Sequence, residues 1–335
     1  MKLRVGIIGL GEAWETRHRP ALRSLADRFE VRAFCCDVAH LAEQASREFN
    51  AIACDGFRSL VNRDDIDAVL VLSPDWYGPL PIYAACDAGK AVYWAAALDV
   101  DMEQAREIRE RVEKAGIAFM AEFPRRLNPA TLRLKELIAT RLGRPELVFC
   151  HSRVAVESKK DRRNVHPYSI MIRHLMELVD WVRYVVGRDP TSVVGVRHDT
   201  QSGNENYQMM SLDFSMPDSL GSGPLAQISC GHYMPASWHE AITYRPPAGL
   251  QVCCERGIAF IDLPSSLVWF DEAGRHMESL ESERPVGEQL LRHFHRAVTS
   301  LVLQTRDLED AYRALKIVLS ARRSFVDSQR CWLEF

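Results

Sequence analysis

Apolar residues along the 335-residue chain fall into two successive regimes. From Lys2 to about Glu122, short apolar runs rich in β-branched residues alternate with longer stretches of helical period. The runs are Leu3–Ile8, Phe29–Cys36, Ala51–Cys54, Ile66–Leu72, Ala91–Trp94 and Ile117–Ala121; helical spacing covers Val38–Phe49, Phe57–Asn62, Leu80–Ala88 and Met102–Lys114. The runs alternate little between polar and apolar positions, as strands buried on both faces do. The pattern predicts an N-terminal Rossmann-type, doubly wound parallel sheet with right-handed crossovers.

Past Phe123 the period changes. Leu127–Leu142 reads as a helix, Pro145–Val156 as a strand, Glu157–Asn164 as a charged loop and Tyr168–Val186 as a long helix. Strand-like runs follow at Ser192–Arg197, Tyr207–Phe214, Ala226–His232, Glu240–Tyr244, Gln251–Cys254, Ile258–Ile261 and Leu267–Phe270, several of them separated by Pro/Gly/Asp/Ser turn clusters. This predicts a C-terminal α+β domain with a large, mainly antiparallel sheet. Helices at Glu288–Val302 and Leu308–Ser324 and a short strand at Cys331–Leu333 end the chain. The domains are expected at residues 1–122 and 123–335.

Composition adds exclusions. The 42 basic and 45 acidic residues give a net charge of −3, no basis for nucleic-acid or membrane-surface binding. No apolar run approaches the roughly 20 residues needed to span a bilayer, and the chain enters its first strand with no signal segment, so a cytoplasmic protein is expected. The nine cysteines are scattered without Cys-x-x-Cys or Cys/His spacing. Free thiols are expected and a metal site is not.

Candidate chemistry begins at the end of the first run. Gly9 supplies a tight turn and Gly11 a close backbone approach, with Glu12, Ala13 and Trp14 opening the next helix. This arrangement holds a dinucleotide pyrophosphate at a helix N-terminus. Trp14 occupies the third fingerprint position, where Gly or Ala normally allows close packing. Asp37, at the end of the second run, lies where such folds place the ribose-binding carboxylate; it is equally placed to cap the following helix. No Arg follows Asp37 to accept a 2′-phosphate, which favours NAD over NADP.

The order of these features resembles the Gfo/Idh/MocA oxidoreductases, the glucose-fructose oxidoreductase and inositol dehydrogenase type, over nearly the whole chain. The likeness rests on Val5–Gly11, Asp37, Asp67–Pro74, Gly89–Val92, Arg126-Leu127-Asn128-Pro129 and the tail from Asp310 through Ala314–Val318 to Ala321 and Ser324. It implies NAD(P)-dependent hydride transfer to or from a small-molecule substrate, a sugar, polyol or related polar metabolite. It also implies cofactor contacts from Ser73, Pro74, Asp75, Ala95, Ala96 and Arg126, and a homodimer or homotetramer formed through the apolar antiparallel sheet, with Tyr207, Phe214, Ile228 and Ile242 among its residues.

Three family positions depart from the pattern. The usual Glu-Lys-Pro falls on Ala95-Ala96-Ala97, and the Asp and His one turn apart on the long helix fall on Arg173 and Glu177. Pro74-Asp75-Trp76-Tyr77-Gly78 stands where the family shows Pro-Asn-x-x-His; Trp76 and Tyr77 could line the cofactor groove or pack as a surface turn. Arg173, Glu177, Asp180 and Tyr184 form one polar stripe at helical spacing. Either Glu177 is a replacement base with Arg173 gripping an anionic substrate, or the two form an i, i+4 salt bridge in a vacated pocket.

His166 and Tyr168 are further proton-carrier candidates, against a capping or surface role. Lys159–Arg163 is a solvated loop or an anion clamp, and His232, Tyr233, Trp238 and His239 face substrate or serve as core and interface aromatics. The alternative to an enzyme is a catalytically silent dinucleotide- or metabolite-binding homologue acting as sensor or scaffold.

Overall fold

A computed structural model describes residues 2–156, 167–200, 205–235, 237–238, 240, 248–263, 265–281, 283–300 and 306–335. The chain divides into two compact units, Met1–Pro124 with Arg284–Tyr312, and Arg125–Glu283 with Arg313–Phe335.

The first unit is built on six parallel strands: β1 (Leu3–Ile8), β2 (Phe29–Cys35), β3 (Ile52–Ala53), β4 (Ala68–Val71), β5 (Ala91–Trp94) and β6 (Phe119–Ala121). Their order is β3-β2-β1-β4-β5-β6. All residues of β4, β5 and β6 are buried, which accounts for their unbroken apolar runs. Helices α1 (Arg19–Ser24), α2 (Ala39–Phe49), α3 (Phe57–Val61), α4 (Pro74–Tyr77), α5 (Leu80–Asp87) and α6 (Met102–Ala115) connect them. In α6, Asp101 accepts a hydrogen bond from the Gln104 amide at 2.8 Å and Gly116 ends the helix at φ +64°, so both ends are capped by side chain and turn chemistry.

The second unit opens with α7 (Pro129–Leu137), which continues into a π-turn at Ile138–Leu142. Then come β7 (Pro145–Val156), α8 (Pro167–Val186), β8 (Ser192–Asp199), β9 (Glu205–Asp213) and β10 (Leu225–Pro235). The strands β11 (Leu250–Cys254), β12 (Gly257–Leu263), β13 (Ser266–Asp271) and β14 (Gly274–Ser279) follow. Helix α9 (Val286–Thr299) belongs to the first unit, and α10 (Arg306–Asp327) runs from the first unit into the second ahead of β15 (Cys331–Trp332).

The nine strands form one sheet in the order β14-β13-β12-β11-β7-β10-β9-β8-β15. Every pairing is antiparallel except β7 with β10. One face carries buried Val148, Cys150, Met210, Leu212, Ile228, Val252 and Ala259. Leu147, Val194, Val196, Phe270 and Met277 are exposed elsewhere on these strands.

Several expectations need correction. The helix expected from Leu127 starts at Pro129, because Pro124–Leu127 forms a tight 3₁₀ turn and the residue before a proline is disfavoured in the helical region. Strand β14 has no apolar alternation to announce it. It is held at the sheet edge by His276, stacked 4.9 Å from Trp269 and 3.0 Å from Asp271 Oδ1. Residues Arg284–Tyr312, expected in the C-terminal domain, pack with the first unit: α9 buries Leu290, Leu291, Phe294 and Ala297, with Phe294 edge-on to Tyr93. The strand expected at Glu240–Tyr244 lies, beyond Glu240, outside the described residues, and so does Ile242.

Candidate active site

The strand order of the first unit reverses between β1 and β4, and ligands of open α/β sheets bind where such loops diverge. There the Gly9 turn has φ +82°, and a Cβ on it would come within 2.5 Å of Ser73 Cβ; a Cβ on Gly11 would meet Ser73 Oγ at 3.0 Å. Gly9 therefore requires glycine for both conformation and space, and at Gly11 a side chain would crowd the Ser73 hydroxyl. The amides of Glu12 and Ala13 open the helix, where first-turn N–H groups have no intrahelical acceptor. These residues fit a dinucleotide phosphate.

Asp37 is exposed just past β2. It does not cap α2, whose N-cap is Val38 with no side-chain cap bond, so the capping alternative falls. The Cys36 thiol donates to Asp37 Oδ1 at 3.0 Å. Pro74 is buried at the start of α4, and Asp75 and Trp76 are exposed. Tyr77 lies 6.0 Å from the Phe57 ring, edge-on to it, so this side chain packs within the first unit.

Trp14 is 3% exposed, edge-on to Phe34 at 5.5 Å and tilted on Phe49 at 5.7 Å. The Trp14–His18 segment adopts a π-turn rather than a regular helix. It brings two consecutive side chains, Arg17 and His18, to one buried carboxylate. His18, fully buried, approaches Glu122 Oε2 at 3.0 Å through Nε2 and the Ala13 carbonyl at 2.9 Å through Nδ1. The Tyr93 hydroxyl lies 3.3 Å from the same Nε2.

Tyr93 donates to the same Glu122 oxygen at 2.7 Å, and Arg17 pairs with Oε1. Burial would raise the Glu122 carboxyl, but the His18 hydrogen bond, the charges of His18 and Arg17, and the Tyr93 bond together hold it below its ordinary value. Burial first, and then Glu122, push Tyr93 well above the usual phenol range. No sequence period links residues 17, 18, 93 and 122, and this network was missed. The available signals were a Glu ending an apolar run and a Tyr inside one.

Ala95 and Ala96 follow β5. The Glu122 amide donates to the Trp94 carbonyl at 2.9 Å and to the Ala96 carbonyl at 3.2 Å, so this turn is tied to the residue holding the buried charge. Ala96 is 7% exposed and Ala97 fully buried.

In the second unit, α8 carries the polar stripe. Asp180, fully buried, accepts a bond from Arg126 Nε at 2.5 Å and pairs with a second nitrogen of the same guanidinium. Arg126, a candidate cofactor contact, thus anchors its segment to α8. The carboxylate of Glu177 lies 3.7 Å from Arg125 Nε, a partner not anticipated from the helix spacing alone. Arg125 also covers the Trp181 ring at 5.1 Å, while Arg126 and Lys135 each lie 5.6 Å from the Tyr184 ring.

His174, beside Arg173 on α8, has its ring 5.8 Å from that of His232 on β10. Burial, then the charges of His232, Arg125 and Arg173, push His174 down to about 4. Tyr168 lies in α8, but its side chain, like all of His166, Lys159–Arg163 and His239, is outside the described residues. Tyr233 and Trp238 are exposed. Among the described residues, no group of His, Cys, Asp and Glu could hold a metal ion, and no helix is long and apolar enough to cross a membrane.

Residues 3–123 match the model of an oxidoreductase family with an NAD-binding Rossmann fold, GFO_IDH_MocA. This segment is similar to the NAD-binding domain of the Gfo/Idh/MocA oxidoreductases. An inositol 2-dehydrogenase of Rhizobium meliloti is 27% identical over 197 residues, 58% of each chain. A 2,7-anhydro-N-acetylneuraminate hydratase of Escherichia coli is 25% identical over 56% of this chain and 52% of its own. The matched segments thus span about half the length of these curated relatives. Among solved structures, a levoglucosan dehydrogenase in complex with NADH and levoglucosan superposes with a TM-score of 0.83 at 16% identity over 100% of both chains, a likeness of fold.

Replacing Glu122 by Gln should leave Arg17 and His18 facing a neutral amide and lower stability by about 3 kcal/mol, read from urea unfolding at pH 7. Because the folded carboxyl lies below its ordinary 4.5, its contribution is present above that pH and lost as pH falls through the folded value. The gap between wild type and Glu122→Gln should therefore narrow in acid. Coincident unfolding curves at pH 7 would count against the network.

Proposed function

We propose that the chain is an NAD-dependent oxidoreductase acting on a sugar, polyol or related small polar metabolite through an atypical active site. The observation that carries the cofactor choice is Asp37, an exposed carboxylate just past β2 that caps no helix and is followed by Val38-Ala39-His40 rather than an Arg. A carboxylate accepts bonds from the two ribose hydroxyls and repels a 2′-phosphate. Gly9, Gly11, Glu12 and Ala13 would take the pyrophosphate, with Trp14 backing their helix and Ser73, Pro74, Asp75, Ala95 and Ala96 bordering the same end of the sheet. When bound, the nicotinamide supplies or accepts the hydride.

Proton exchange falls to Glu177 in this reading, with Arg173 helping to orient substrate. Relatives whose names specify an inositol dehydrogenase and an N-acetylneuraminate derivative support a small polyhydroxylated substrate. The second reading, a silent dinucleotide- or metabolite-binding homologue, is favoured by one observation: Ala95, Ala96 and Ala97 carry no exchangeable side-chain proton. The exposed apolar side chains on the nine-stranded sheet support a homodimer or homotetramer that covers them.

Asp37→Ala should weaken NADH binding about tenfold, the effect of one charged hydrogen bond of about 1.5 kcal/mol, measured by fluorescence titration. An unchanged Kd, or a preference for NADPH in the wild type, would refute the assignment.

A metabolite screen read by NADH absorbance separates the two readings. Turnover by the wild type should fall by roughly 10²–10⁴ in Glu177→Gln with NADH affinity retained. Tight NADH binding with no turnover on any substrate would establish the silent homologue.

Sedimentation at micromolar concentration should give a dimer or tetramer. A monomeric mass would remove the sheet as an interface.

A further inference from the structure

We propose that Arg125 is the anchor for a carboxylate group on the substrate, so that the protein selects a polyhydroxylated monocarboxylic acid over the neutral sugar or polyol. The inference rests on reading α8 as a substrate-facing helix.

Arg125 and Arg126 are adjacent in the chain yet differ in their commitments. Both ends of the Arg126 fork are engaged by Asp180. Arg125 Nε is buried and has no hydrogen-bond partner among the described residues; the nearby Glu177 Oε2, at 3.7 Å, is beyond hydrogen-bonding distance. A buried guanidinium N–H with no acceptor is unfavourable and is relieved by a ligand that supplies one. The Trp181 ring 5.1 Å away holds the guanidinium in place, which suits it to the planar, two-oxygen geometry of a carboxylate.

Glu177 is the anionic neighbour, 3.7 Å from Arg125 Nε, and two other neighbours carry no charge. Cys150 is a wholly buried thiol pushed up to about 12 by burial, so it contributes no negative charge near neutral pH. His174 makes no hydrogen bond among the described residues, and its imidazole is unprotonated near neutrality under the combined influence of burial, His232, Arg125 and Arg173. An uncharged ring can accept a bond from a hydroxyl while the guanidinium takes the carboxylate. The guanidiniums of Arg125 and Arg173 add to the lowering of His174, after burial and His232.

The test is calorimetric titration of the full chain with D-gluconate and D-glucuronate against D-glucitol and D-glucose, each with and without NADH. Each acid should bind at least tenfold more tightly than its neutral counterpart. Arg125→Gln should abolish that advantage, and Arg125→Lys, which keeps the charge but not the fork, should retain part of it, both with NADH affinity unchanged. Equal binding of acids and neutral sugars, no binding of either acid at millimolar concentration, or an undiminished preference in a folded Arg125→Gln would overturn the proposal. If Arg125→Gln does not fold, an undiminished advantage in Arg125→Lys overturns it. Failure of NADH to bind would instead remove the dinucleotide reading, while the cofactor-free titrations still decide the carboxylate question.

Discussion

The arrangement of the first unit depends on one buried negative charge. Glu122 is 2% exposed at the end of β6, and an ionised carboxylate there is tolerated only with partners on both oxygens. Tyr93 and His18 meet one oxygen and Arg17 the other. For consecutive residues 17 and 18 both to reach the carboxylate, the helix after the glycine turn must widen, and the π-turn provides that extra backbone. Trp14, at the start of that turn, packs against Phe34 and Phe49. Helix α9 completes the enclosure: Gly287 lies so close to Arg17 that a Cβ would approach its carbonyl oxygen to 2.7 Å, and Phe294 covers Tyr93.

A buried carboxylate organises the second unit as well. Asp180 takes Arg126 from the chain preceding α7, and Arg183 stands 4.0 Å away while itself joining Asp189 and, through it, Arg313 of α10. Further toward the N-terminus of α8, Glu177 lies 3.7 Å from Arg125 Nε and the His174 ring 5.8 Å from that of His232.

The sheets were legible because burial on both faces imposes continuous apolar runs and burial on one face imposes alternation. Strand β14 was not, since its side chains are mostly exposed and its stability comes from His276 meeting Trp269 and Asp271. The glycine turn and the acid after β2 were readable because backbone conformation and position constrain residue type there. Which of Arg125 and Arg126 would be spent on Asp180 was not readable: adjacent identical residues differ only in the direction that the turn at Pro124–Leu127 points them. The Glu122 network was hidden for a related reason. Its members are brought together by sheet order, and no local spacing encodes that.

The alanines after β5 acquire a clearer meaning from this arrangement. In the first unit the strongly perturbed acid and phenol, Glu122 and Tyr93, are sealed from solvent together with His18. A proton held there cannot be exchanged with a small molecule without breaking a buried ion pair. Ala96 adds no titratable group of its own, and its carbonyl is occupied by the Glu122 amide. The network around Glu122 is thus tied by backbone hydrogen bonds to the turn after β5. In the second unit His174 is held uncharged near neutrality, and Glu177 lies 3.7 Å from Arg125 Nε.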